Sequence, residues 1–442
     1  MSNLSQTPTY NLKAVMQETG LNADLLRAWE RRYGLPMPHR TPGGHRLYSE
    51  YDIAIVKWLK ARQDEGLRIS QAVELWKESI DSERDPLMEY SLRAVAPAPD
   101  FMSVADTRIE NFRQKWLEAS LDFNEIEAEE ILNQAFALYQ VETVCSQILL
   151  YGLRHIGQEW YAGEVTVQQE HFVSEMAIRR LEALIAATPR PTRRQTVFVG
   201  CPSDEWHTFP VLLLNLLLHR RGLDVIYLGA SVPFERLEET ARAVQPDLIV
   251  LAAQQLTTAA TLQSTALALQ SQGSTIAYGG LIFNRVPKIR EHIPAYFLGE
   301  SLEEAIKPIE RLLSAYTPLP TTISVDATFR DLARLHREKH TLIEMALYES
   351  LQAAHLPTEH INVANLFFSS ELTAALELGD PAYLEADLEW VKNLLTGHNI
   401  SEDRLLPYLV AYGHAVRKVI GESSAPITHW IDSYTIRHEP TN

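Results

Sequence analysis

The tightest constraint on the fold lies between residues 191 and 316, where short β-branched runs alternate with helical stretches. The runs are Thr196–Gly200, Val225–Leu228, Leu248–Ala252, Thr275–Tyr278 and Tyr296–Leu298. Patterns of helical period separate them, as in Val211–Arg221 and Glu235–Val244. Strand, helix, strand in strict alternation predicts a doubly wound parallel sheet.

The rest of the chain divides around this region. At 442 residues it is too long for one hydrophobic core. Residues 1–80 read as short helices around a loop rich in Pro, Gly and Arg, and residues 81–103 as a linker. Over 104–190 apolar residues recur at three and four, as in Ile126, Ile131, Leu132, Phe136 and Leu138, then Val173, Met176, Ile178, Leu181 and Leu184. That spacing predicts a small helical bundle. Pro189–Arg194 breaks it from the sheet region, and Thr317–Thr322 breaks the sheet from a helical segment over 323–442. Within that segment the apolar spacing is clearest in Leu332–Leu347, Leu384–Leu395 and Leu405–Ile420. Fold class is therefore multidomain, α and α/β. No apolar run approaches the roughly 20 residues that span a bilayer. The first ten residues lack a basic region followed by an apolar one, and Cys145 and Cys201 are the only cysteines. A cytoplasmic protein with no membrane partner is expected.

Net charge is −17, a balance that argues against nucleic acid until it is resolved along the chain. Residues 1–70 carry 10 Lys/Arg against 7 Asp/Glu, and residues 325–442 carry 9 against 17. Charges act over a Debye length of about 8–10 Å, so a basic head on an acidic body still meets phosphates. In that head, Leu12–Thr19 is a short amphipathic helix followed by Gly20, and Asn22 is placed to cap a second helix over Ala23–Tyr33. Arg27 and Arg31 share a face of it at i, i+4. Beyond lies a glycine turn flanked by Arg40, Arg46 and Tyr48. Basic faces are common on solvated helices, so the pattern alone leaves a plain helical domain open.

Leu26-Arg-Ala-Trp-Glu-Arg-Arg-Tyr-Gly-Leu-Pro36, then Arg40-Thr-Pro-Gly-Gly-His-Arg-Leu-Tyr-Ser49 and Gly66-Leu-Arg-Ile69, resemble the MerR family of winged-helix regulators over residues 10–77. The resemblance implies an inverted-repeat operator as partner, with Arg27, Arg31 and Arg32 near the groove and Arg40, Arg46 and Tyr48 in the wing. Where such regulators carry a long dimerising helix, this chain has the linker. Assembly as a homo-oligomer, dimer or tetramer, is then expected from other segments.

Cys201-Pro-Ser-Asp-Glu-Trp-His207 follows a predicted strand and leads into a helix, at the sheet edge where α/β proteins bind ligands. A lone histidine there caps a helix or sits on the surface as readily as it holds a ligand. Imidazole also ligates transition metals, best with a carboxylate orienting the ring, and Glu205 lies two residues earlier. Gly229 after the second strand and Gly279-Gly280 after the fourth open the same edge. In the bundle, Trp160 precedes Val167, Glu170 and His171, which share a face if a helix begins near Thr166.

Residues 104–315 resemble a base-off, His-on cobalamin-binding unit, a helical bundle capping a Rossmann-like domain. Its Asp/Glu-x-His-x-x-Gly motif corresponds to Glu205-Trp-His207-Thr-Phe-Pro210. With the MerR head, the order is similar to the CarH/LitR photoreceptor repressors, whose Trp-x9-Glu-His signature stands here as Trp160 to Glu170-His171. The resemblance implies adenosylcobalamin as cofactor and His207 as lower ligand of cobalt. It places Trp160, Val167, Glu170 and His171 on the upper, adenosyl side, and Gly229, Gly279 and Gly280 beside the nucleotide tail. This chain departs at three places: Pro210 replaces the motif glycine, Ala253-Gln-Gln255 replaces Ser-x-Leu, and Tyr161 stands where the photoreceptors carry a histidine. Proline fits the first turn of a helix. A phenol with a pKa near 10 is a poor substitute for an imidazole on cobalt, which leaves His171 the nearest candidate by sequence.

In residues 323–442, His336 and His340 stand at i, i+4 among charged neighbours, a pattern that predicts a solvated face. His398, His414 and His429 either line a pocket or are scattered. The order of domains is similar to photocobilins, which implies biliverdin as a second chromophore on arrangement alone. The function expected is a non-enzymatic, light-responsive, cobalamin-dependent repressor. The alternatives are a cobalamin- or redox-sensing regulator without photochemistry and a dual cobalamin/bilin photoreceptor.

Overall fold

The computed structural model describes residues 7–19, 21–40, 46–64, 69–70, 72–73, 76–77, 107–161, 164–315, 317–353, 361–388 and 405–438. Gly20, the hairpin tip 41–45, the linker 81–103 and His398 lie outside the described residues. The chain forms two compact units, one of Met1–Arg93, Leu335–Asn365 and Lys418–Gly421, the other of Ala94–Arg334, Leu366–Arg417 and Glu422–Asn442.

The head is a winged helix-turn-helix. Its elements are β1 (Tyr10–Asn11), α1 (Leu12–Thr19), α2 (Ala23–Tyr33), β2 (His39–Arg40), β3 (Arg46–Tyr48) and α3 (Glu50–Asp64). Asn22 caps α2, its side chain accepting from Leu25 N at 2.8 Å. The three strands pair antiparallel in the order β1-β3-β2, with Arg40 opposite Arg46. Val15, Leu26, Trp29, Val56 and Leu59 form the core beneath, where Trp58 and Trp76 meet edge to face at 5.3 Å.

The second unit begins with a helical bundle: α4 (Thr107–Leu121), α5 (Glu125–Leu138), α6 (Val141–Val144), a π-helical stretch (Cys145–Leu150), α7 (Tyr151–Tyr161) and α8 (Val167–Ala186). The start of α8 was legible in the sequence. Thr166 accepts from Gln169 N while the Gln169 side chain accepts from Thr166 N, so two orphan donors are satisfied reciprocally. Trp116, Leu132, Ile148, Met176 and Leu181 fill the bundle and are continuous with the sheet core at Val197, Val199 and Leu213.

That sheet comprises β4 (Thr196–Pro202), β5 (Asp224–Val232), β6 (Leu248–Ala252), β7 (Ile276–Gly279) and β8 (Tyr296–Phe297). The helices between them are α9 (Phe209–His219), α10 (Phe234–Val244), α11 (Leu256–Ser271) and α12 (Leu281–Arg285), and α13 (Leu302–Ser314) follows. All pairs are parallel, in the order β5-β4-β6-β7-β8. Connections reverse direction between β4 and β6, which makes the crevice at their carboxyl ends the topological switch point.

Further on come α14 (Ala327–Glu338), α15 (His340–Ala353), α16 (Ile361–Leu378), a 3-10 turn (Pro381–Leu384), α17 (Leu405–Ile420) and α18 (Ala425–His438). Of the helix expected over Leu384–Leu395, the described part ends at residue 388. The expected solvated face at His336 is a correction: the residue is fully buried. It follows Leu332 by four and Ala333 by three, so it stands on the same buried stripe. Burial first, then the neighbouring charges of His340 and Arg337, push its imidazole down to about 3. His414 and His429 are exposed. Among the described residues no helix is long and apolar enough to cross a membrane.

Candidate functional site

At the carboxyl end of β4 the chain turns through Glu205 and His207 before α9 begins, with Pro210 in its first turn. Glu205 is only 1% exposed. Its Oε1 accepts from His207 N at 3.0 Å and lies 2.5 Å from His207 Nδ1. Its Oε2 accepts from Gln254 N at 2.7 Å and from the Thr258 hydroxyl at 2.7 Å. Burial alone raises a carboxyl pKa, but the His207 charge, the His207 side-chain and backbone hydrogen bonds and the Thr258 hydroxyl outweigh it and hold Glu205 below the usual range. An anionic Glu205 makes Nδ1 of His207 the donor, so in the neutral ring it is Nε2 that carries the lone pair. That Nε2 is buried and, among the described residues, has no hydrogen-bond partner. A buried ring nitrogen left open, on an imidazole oriented by a carboxylate, fits a cobalt ligand.

Gln254 and Thr258 were missed by sequence reasoning. They come from the far side of the switch point, in the turn from β6 into α11, where Thr258 also serves the capping box with Gln255. The spacing of Gln255 and Thr258 was the available signal, but only the strand order brings them to Glu205. Below His207, the Cys201 thiol lies 3.9 Å from its carbonyl, and burial followed by the Glu205 charge raises the thiol pKa.

The three glycines occupy different situations. Gly229 lies inside β5, not after it, at a register shift opposite Gly200 and with φ 79°. The strand runs on to Val232 because pairing resumes beyond that bulge. An added Cβ at Gly279 would meet nothing within 4 Å among the described residues, which leaves the sheet edge open there. Gly280 has φ 125°, and its Cβ would lie 1.8 Å from the Ala253 carbonyl. Only glycine allows this approach, which brings Leu281 N to Gln254 Oε1 at 2.9 Å.

Trp160 lies at the end of α7, packed on the bundle core, and Val167 opens α8. Glu170 Oε2 lies 2.7 Å from His171 Nδ1, and its Oε1 accepts from Ser174 at 2.8 Å. The hydrogen bond to Glu170 raises the His171 pKa; burial opposes it and the charges of Glu170 and Glu175 add to it. The Tyr161 side chain lies outside the described residues.

On the head, Arg27, Arg31 and Arg32 are exposed along α2, with Arg27 3.6 Å from Asp24. Glu30, on the same helix, reaches both wing arginines: Arg46 Nε donates at 2.6 Å and Arg40 at 3.3 Å. Arg40 keeps more than half its side chain exposed. Tyr48, expected in the wing as a DNA contact, stands on β3 but is 1% exposed and belongs to the core of the head. The strand alternation that shows Leu47 to one side turns Tyr48 inward to the core.

Together the fold and the site define a winged helix-turn-helix regulator carrying a cobalamin-binding module. Family comparisons agree: "MerR HTH family regulatory protein" matches residues 10–79, and "B12 binding domain" matches 113–185 and again 195–306. The chain is 33% identical to the HTH-type transcriptional repressor CarH of Myxococcus xanthus, over 55% of this chain and 78% of that one. It is 28% identical to the repressor CarA of the same organism, over 55% and 76%. The transcriptional regulator MlrA of Salmonella typhimurium is 40% identical over 17% of this chain and 31% of its own length. The chain belongs to the CarH-like family of cobalamin-binding MerR-type regulators.

Proposed function

We propose that this protein is a transcriptional repressor whose hold on operator DNA is set by adenosylcobalamin bound at the switch point, and that light is the signal. The observation that carries this reading is the buried, unpartnered Nε2 of His207, with Glu205 fixing its tautomer. When bound, the cofactor would supply a light-sensitive cobalt–carbon bond. The protein's own residues do the rest. His207 would hold the cobalt, and Glu205 would keep the proton on its Nδ1. Gly229 and Gly279 leave room at the sheet edge for the nucleotide tail, while Gly280 sets the adjoining turn against Ala253. Trp160, Val167, Glu170 and His171 form the upper wall, where Glu170 presents His171 in the same way that Glu205 presents His207. Arg27, Arg31, Arg32 and Arg40 meet phosphates and groove at an inverted-repeat operator, with Arg46 bracing the wing through Glu30. Pairing of two heads on such an operator requires a homo-oligomer. The role is regulatory, not enzymatic.

The test is the absorption spectrum of the purified, adenosylcobalamin-loaded protein before and after green light, in the wild type and in His207→Ala. A His-on spectrum that changes with light, and is absent from the variant, is expected. A variant that keeps both spectrum and affinity would place the cobalt ligand elsewhere.

A further inference from the structure

Both groups that hold Glu205 Oε2 are tied to elements gripped by the C-terminal helical segment. Thr258 lies in the first turn of α11. Its neighbour Thr257 donates its hydroxyl to Glu371 of α16 at 3.4 Å, and Glu371 is 2% exposed. Gln254 accepts from Leu281 N, the first residue of α12. At the other end of α12, Arg285 donates to the Ala386 carbonyl at 2.7 Å and pairs with Asp387 at 2.9 Å, both side chains 11% exposed. Two short paths thus run to one carboxylate: Glu371–Thr257–Thr258–Glu205 and Asp387–Arg285–α12–Gln254–Glu205. A buried ion pair and a buried carboxylate are costly to leave half-satisfied, so the grip has one preferred geometry.

We propose that the C-terminal helical segment positions the cobalt-binding histidine: Glu371 and Asp387 fix the first turn of α11 and α12, and through them the Glu205–His207 pair. This rests on the reading of His207 as cobalt ligand. The segment is then part of the cobalamin site by support, with Glu371 and Asp387 as positioning residues that touch no cofactor. Disturbing either grip shifts Glu205, and with it the direction of His207 Nε2. Ligand orientation at metal sites of this kind is worth about ten- to a hundredfold in affinity.

The full-length chain tests this with Glu371→Ala, Thr257→Val and the double variant. Two readouts apply: cobalamin affinity with its His-on spectrum, and, without cobalamin, the hydrogen exchange of the Gln254 amide. Glu371→Ala and Thr257→Val should each weaken affinity about tenfold and speed Gln254 exchange, and the double variant should be no worse than either. Thr257→Val is nearly isosteric and leaves α16 intact. A loss in Glu371→Ala that Thr257→Val does not share would mean disturbance of the segment alone and would overturn the inference. Wild-type affinity and exchange in both would overturn it equally. The underlying reading fails separately, on His207→Ala: if that variant binds cobalamin like wild type, His207 is not the ligand and the inference falls with it.

Discussion

Replacing Glu205 by Gln changes one buried oxygen to an amide nitrogen and tests the site's electrostatics with little change of shape. Each carboxylate oxygen faces a main-chain donor that cannot turn away: His207 N at 3.0 Å on Oε1 and Gln254 N at 2.7 Å on Oε2. Whichever way the amide lies, its NH2 meets one of them. With NH2 toward Gln254, a buried backbone N–H loses its acceptor. With NH2 toward His207, the ring must accept at Nδ1, so the proton moves to Nε2 and the lone pair for cobalt is gone. Leaving a buried donor unsatisfied costs about 1–3 kcal/mol. An affinity loss of about ten- to a hundredfold follows, as 1.4 kcal/mol is a factor of about ten. Cobalamin titration followed by absorbance measures it, with circular dichroism to check the fold. Unchanged affinity and an unchanged His-on spectrum in Glu205→Gln would refute the tautomer argument.

Arg40→Ala should weaken binding to all DNA sequences alike and flatten the salt dependence by about one phosphate contact, measured by anisotropy at several salt concentrations; an unchanged slope would remove Arg40 from the phosphate contacts. Glu30→Gln should loosen the wing by releasing Arg46, and operator affinity equal to wild type would show that the brace is idle. His336 titrates well below its ordinary pKa of 6.5 in the folded protein, at about 3. Its stabilising contribution is therefore complete above pH about 6.5 and lost as pH falls, by up to about 1.4 kcal/mol per pH unit. Urea midpoints at pH 7 and pH 5 should converge in His336→Leu, and a pH slope unchanged by that substitution would contradict it. With Nδ1 on Glu170, Nε2 is the ring nitrogen that His171 has left for a ligand. His171→Ala should accordingly alter the spectrum of the illuminated protein, whereas an identical lit spectrum would exclude it as a ligand.

Much of the fold was legible because its signals are local. Asn22 capping α2, the Thr166 start of α8 and the strand-helix alternation depend on neighbours within a few residues, and the structure has them where the pattern put them. The partners of Glu205 were not legible, because Gln254 and Thr258 lie about fifty residues away and meet it only through parallel pairing at the switch point. Tyr48 misled because it closes the Gly- and Arg-bearing turn sequence, while strand alternation turns it inward. His336 misled for the converse reason: its charged neighbours are on the chain, but its helical neighbours Leu332 and Ala333 are in the core. Gly229 has the look of a strand end in sequence, yet the strand continues past it through a bulge. The bilin expected in residues 323–442 rested on domain order, which names no residue to hold it.

The most direct measurement is DNA binding itself: titration of adenosylcobalamin-loaded protein against a palindromic duplex that the protein has selected from a random pool, in the dark and after green light. A difference in affinity of at least tenfold between dark and light, absent from His207→Ala, is the expected result. Equal affinity in dark and light, with cobalamin bound through His207 in both, would contradict control of the operator by the cofactor.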